Sequence, residues 1–229
     1  MSTAAPCRFA RLRGEGPAAR WTLIIGGALW IVHGYLRFIP PAGTDVVFRP
    51  ELGYAVVIRS DLFVVYNVTG VLALLLTSGG TLLLLSTLSA GHRGWRRAAR
   101  IVAVVAVFLG LLALMGLLLM FDPLTTAGLD LGEPVLGAAL ALAGLAEVLD
   151  GSSSGHPRWR GPLLIVTGAI GMAMLPLRPA IYALGLLPIE AGVLGLALFG
   201  VGCILVGATV RSHSTRPGRT ASESALPSA

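Results

Sequence analysis

The apolar positions of this chain fall into six runs separated by short polar punctuation. The longest, Leu62–Gly91, holds no ionisable side chain except Tyr66 and is bounded by Asp61 and by His92-Arg93. At about 1.5 Å per helical residue it exceeds the ~30 Å hydrocarbon core of a bilayer, where a backbone must satisfy its own hydrogen bonds. Spans are predicted over 21–38, 62–88, 101–121, 134–149, 162–177 and 189–210, an all-α, polytopic transmembrane helix bundle. Residues 1–19 and 211–229, rich in Arg, Ser, Pro and Gly, read as disordered cytoplasmic tails around one transmembrane domain, 20–210. A cleaved signal peptide is the alternative for the N-terminus. Against it, Trp30, His33, Tyr35 and Arg37 interrupt the apolar run and no small-residue cleavage site follows.

Within the spans the small and polar residues are not scattered. Asn67, Gly70, Thr77 and Thr81 share one face of the second helix, a stripe that belongs against other helices rather than lipid. Ala106, Gly110 and Ala113 repeat the pattern in the third span, and Ala191/Gly195 and Cys203/Gly207 in the sixth. Pro40-Pro41 ends the first span. Pro50-Glu51 is expected to open a short interfacial or re-entrant helix running to Arg59; strand pairing of Val46–Phe48 with Val56–Ile58 is the less favoured alternative. Asp61 is placed to cap the second span. The fourth span opens at Pro134 after an acidic loop, and Pro176, Pro179 and Pro188 break the chain around a helical turn at 180–187.

Composition fixes the class. Of 229 residues 55% are hydrophobic and 12% charged, against roughly 25% charged in soluble domains. All 17 basic residues are arginine. Thirteen lie in the tails and alternate loops of one side and three in the loops of the other, with Arg37 inside a span. By the positive-inside rule both termini are cytoplasmic. The net charge of +6 therefore reflects topology, and nucleic acid is excluded as a partner. Cys7 and Cys203 support neither a disulfide framework nor a metal centre, and no cofactor is expected.

Ionisable groups near or within spans are the candidate chemistry. His33 could transfer a proton or bind a ligand, or be hydrogen-bonded to a neighbouring helix. Arg37 could bind or simply snorkel to the boundary. Asp61 is a cap or a site carboxylate, and Tyr66 and Asn67 are orienting or packing groups. Glu147 shares a face with Ala139 and Ala143 that points into the bundle, where it could bind a ligand or be paired with Arg158 or Arg160. The predicted topology gathers His33, Arg37, Asp61, Tyr66, Asn67 and Glu133 on the outer side. There Asp61 or Glu133 could act as acid and His33 as base. No G-x-S-x-G, H-E-x-x-H, C-x-x-C or phosphate-binding glycine loop is present. Val68-Thr69-Gly70 reappears as Val166-Thr167-Gly168, where an inverted three-plus-three repeat would put it.

The first span, the outer-loop Glu51-Leu52-Gly53, the second-span Phe63-x-x-x-Asn67-x-x-Gly70 and the third-span ending Met120-Phe121-Asp122-Pro123 resemble bacterial six-helix membrane proteins of the DRAM/Frag-like kind. Glu133-Pro134 stands where such proteins carry a His at the start of the fourth span. The resemblance implies a multi-pass protein of a bacterial plasma (inner) membrane and supplies no activity. Three functions remain: an accessory, lipid-interacting or assembly component; an enzyme using acid–base chemistry on a lipid or isoprenoid at the outer leaflet; and a small transporter. The partners expected are membrane lipids, a lipid or isoprenoid ligand, and a protein partner or second copy.

Overall fold

The computed structural model describes residues 7–38, 45–87, 93–150 and 158–210, with side chains from Gly16 onward. The predicted C-terminal tail, 211–229, lies outside the described residues. Six helices are present: α1 (Cys7–Phe38), α2 (Ser60–Thr87), α3 (Arg93–Leu118), α4 (Asp122–Asp150), α5 (Arg160–Tyr182) and α6 (Ile189–Thr209). α2 to α6 are each long and apolar enough to cross a membrane. Each helix packs on its sequence neighbours, α6 returns to α1, and α2 also reaches α4 across the ring.

Close backbone approach sets the neighbours. A Cβ on Gly27 of α1 would stand 2.5 Å from the carbonyl oxygen of Gly200 on α6, and the reverse holds for Gly200. Between α4 and α5, Gly137 and Gly144 face the carbonyls of Gly168 and Gly161, both at 2.6 Å from the missing Cβ. The predicted stripe on α2 is buried as expected. Gly70 seats the ring of His33 from α1, and Thr77 accepts a hydrogen bond from Trp30 Nε1 at 3.2 Å. Thr77 in turn donates to the Ala73 carbonyl at 2.6 Å, as helix-buried hydroxyls do when lipid offers no partner. The indole of Trp30 meets Phe199 of α6 edge-on at 5.6 Å, tying three helices at one level.

Several sequence expectations change. α1 is helical from Cys7, taking in residues 7–19 that the sequence assigned to a tail. The segment after it contains a β-hairpin rather than an interfacial helix: β1 (Val46–Arg49) and β2 (Tyr54–Val57) pair antiparallel, Val46 opposite Val57 and Arg49 opposite Tyr54. β-branched valines suit both strands. Gly53, at φ +71°, closes the turn by donating to the Arg49 carbonyl at 3.0 Å. The acidic stretch 122–133 is not a loop but the first turns of α4, so the fourth span is long rather than short. α5 likewise continues through Pro176 and Pro179 to Tyr182.

α3 and α4 are joined by three residues, 119–121. Met120 takes φ +52°, and the Phe121 amide donates back to the Gly116 carbonyl at 2.8 Å, the bond that ends a helix with a left-handed residue. That backbone region costs a non-glycine residue about 1–2 kcal/mol. Met120→Gly should accordingly raise stability by about 1 kcal/mol, read as a later unfolding midpoint in detergent. Gly137→Val should lower it by about 2 kcal/mol or more. Gly79→Val should be near neutral, because no heavy atom lies within 4 Å of its added Cβ.

Candidate functional site

Antiparallel packing brings the C-termini of α1, α3 and α5, the N-termini of α2, α4 and α6, and the hairpin to one end of the bundle. Most of the chemistry outside the arginine loops is gathered there. α4 presents Asp130 and Glu133, one helical turn apart, to Arg178 on the last turns of α5. One guanidinium nitrogen of Arg178 donates to Asp130; the other donates to Glu133 Oε2 at 2.6 Å. Glu133 is 0% exposed, and its Oε1 is buried without a hydrogen-bond partner. The charge of Arg178 reaches His33 and Tyr182, and that of Arg37 reaches His33, Asp122 and Tyr182. Tyr182 stacks on Phe38 at 5.8 Å and 10°, linking the end of α5 to the end of α1.

His33 lies deeper. Its Nδ1 is 3.1 Å from the Tyr66 backbone oxygen, which fixes the donor role on Nδ1 and leaves Nε2 as the acceptor nitrogen. The ring is buried, packed on Gly70 and edge-on to Trp30 at 5.9 Å. Tyr66 therefore contributes its main chain to this arrangement. Asn67 is buried, and its Nδ2 donates to Phe63 O in its own helix at 2.9 Å. Arg37 is half-buried.

Two of the residues singled out in the sequence stand apart. Asp61 is in the first turn of α2 rather than at its cap, because the helix starts one residue earlier. Its side chain is 65% exposed and pairs with Arg59 at 2.9 Å. Glu147 lies at the opposite end, 3.1 Å from Arg160, whose side chain is 1% exposed. That is one of the two partners the sequence offered. The two Val-Thr-Gly triplets turn their glycines to the preceding helix in each case, Gly70 to His33 of α1 and Gly168 to Gly137 of α4.

The residue that sequence reasoning missed is Arg178. It sits between Pro176 and Pro179, where the pattern reads as a helix break. Its partners are 45 and 48 residues away in a stretch that reads as loop. The one available signal was charge: Arg178 is among the three arginines on the acidic side. Among the described residues no group of His, Cys, Asp and Glu could hold a metal ion. Comparison with protein-family models, with curated proteins and with solved structures returns no match.

Removing Arg178 would leave the buried Glu133 carboxylate uncompensated. Arg178→Gln is expected to cost about 3 kcal/mol or more, and the double substitution Arg178→Gln/Glu133→Gln should recover much of that loss. Arg59→Gln at the exposed pair should change stability by no more than about 1 kcal/mol. Chemical unfolding of the four proteins in one detergent checks the order.

Proposed function

We propose that this chain is a six-span protein of a bacterial plasma membrane, with both termini cytoplasmic. It works without catalysis of its own as an accessory or assembly component in contact with lipid. The observation that carries this reading is that His33, Asp61, Asn67 and Glu147 each meet a different neighbour rather than one another. His33 is held by the Tyr66 carbonyl, Asp61 by Arg59, Asn67 by the Phe63 carbonyl, and Glu147 by Arg160. An enzyme of the acid–base kind would bring several of these onto one enclosed cavity.

α1 is the sixth span in this reading. Its 21–38 half lies antiparallel between α2 and α6, with Gly26 against Thr77, Gly27 against Gly200 and Phe38 against Gly192. It therefore occupies the same slab as two helices apolar enough to cross. Arg20, Arg93–Arg100 and Arg158–Arg160 mark the cytoplasmic end, and the hairpin with the Arg178 cluster the outer end. The DRAM/Frag-like resemblance fits this layout and stands as part of the proposal.

One observation favours the second reading, an enzyme acting on a lipid or isoprenoid. The buried, unpartnered Oε1 of Glu133 is a free acceptor beside a guanidinium. Complementation of a deletion strain separates the two. On the accessory reading, His33→Ala, Asp61→Asn and Glu133→Gln restore growth under envelope stress, and the helix-separating Gly137→Val does not. Loss of complementation by Glu133→Gln and His33→Ala in proteins that still reach the membrane would favour the enzyme. For topology, a reporter fused at Glu51 should be active outside and one fused at Ala229 active inside; the reverse pattern overturns the orientation.

A further inference from the structure

The β-hairpin stands over the α3–α4 turn and leaves a cleft beneath it. The cavity is about 480 Å3, within the range of about 300–1,000 Å3 found for small-molecule sites. One wall is strand β2 with Leu52 and Ile58, and the other is Met120 and Phe121, with Ser60 at the start of α2 completing it. Tyr54 pins the hairpin in place by meeting Phe121 edge-on at 5.4 Å. Apart from the Tyr54 and Ser60 hydroxyls, every lining side chain is apolar.

Two features say what fills this space. Phe108, Leu111, Met115 and Leu118 form an exposed stripe along α3, Leu119 beyond its end is exposed too, and the chain is uncharged from Ile101 to Phe121. The stripe is followed in the chain by Met120 and Phe121, which are exposed in part and line the cleft. The hairpin itself exposes Phe48, Leu52 and Ile58 beside Arg49 and Arg59. Apolar rings and arginines side by side belong at the headgroup boundary of a bilayer.

We infer that the cleft is a phospholipid site, with an acyl chain between β2 and the α3–α4 turn and the phosphate at Arg59 and Ser60. Arg59, next to Ser60 in the chain, offers a guanidinium suited to a phosphate once Asp61 is displaced or shares it. The inference rests on the membrane-spanning reading above and names the lipid contact that reading calls for.

The test is photolabelling of the full chain in nanodiscs of phosphatidylethanolamine and phosphatidylglycerol. The probe is phosphatidylglycerol carrying a diazirine at the end of one acyl chain, and adducts are mapped by peptide mass spectrometry. Adducts at 54–58 and 120–121 should saturate as the probe fraction rises, while those on the α3 stripe at 108–115 rise in proportion. Ala55→Trp, which fills the cleft, should reduce the first set about tenfold and leave the second unchanged. If that variant does not fold, the saturation curve of the unaltered chain decides alone. Proportional labelling at both places would mean ordinary boundary lipid and overturn the site. A hairpin-to-hairpin cross-link between two copies would overturn it in favour of a self-association surface. Absence of adducts on the α3 stripe as well would bring down the membrane-spanning reading itself, which distinguishes the two failures.

Discussion

Close contact between helix backbones, permitted by glycine, is the constraint on which the rest of this structure depends. Lipid tails are as apolar as leucine, so burying side chains supplies little drive for helices to associate inside a bilayer. What remains is van der Waals contact at short range, and Gly27–Gly200, Gly137–Gly168 and Gly144–Gly161 provide it by letting one main chain lie on the next. α6 uses alternate faces for this. Gly200 and Gly207 meet α1, whereas Gly195 and Gly202 meet Met174 and Thr167 of α5. One helix thereby closes the ring.

Polar groups follow from that geometry rather than directing it. Seating the His33 ring against Gly70 brings Nδ1 to the Tyr66 carbonyl, and the approach of α1 to α2 brings the Trp30 indole to Thr77. The two buried ion pairs sit at opposite ends of the same pair of helices, Glu133–Arg178 near the hairpin and Glu147–Arg160 at the arginine-rich end. Between them the α4–α5 seam is glycine and hydrocarbon. Each pair is sited where a charge can be compensated by its neighbour instead of by water, which is what burial demands of it.

Much of this was legible in the residues. The face holding Asn67, Gly70, Thr77 and Thr81 could be assigned inward because a polar stripe at helical spacing has no other home in lipid. Glu147 could be paired with an arginine across the following loop because sequence distance was short. The parts that were hidden have a common cause. Asp122, Asp130 and Glu133 lower the hydropathy of α4's first turns below that of a span, and Arg178, contributed from far along the chain, is what meets the buried Glu133 and its neighbour Asp130. Val46–Arg49 and Tyr54–Val57 are too short for periodicity to separate strand from helix. Their pairing is decided by the turn at Gly53 and by the Asp45 carbonyl, which accepts from the Ile58 and Arg59 amides. Asp61 looks like the cap because it precedes the apolar run at Leu62, whereas α2 begins two residues sooner, at Ser60.

The prolines of α4 and α5 carry a mechanical consequence. Pro134 has no amide hydrogen for the Asp130 carbonyl, and Pro176 and Pro179 leave those of Met172 and Leu175 in the same position. Each helix therefore has its weakest rungs beside the residues that hold the Arg178 cluster. Arg178 thus ties α4 to α5 at the level where the main chain of each lacks a rung, so a side-chain contact stands in for the backbone bonds that proline removes.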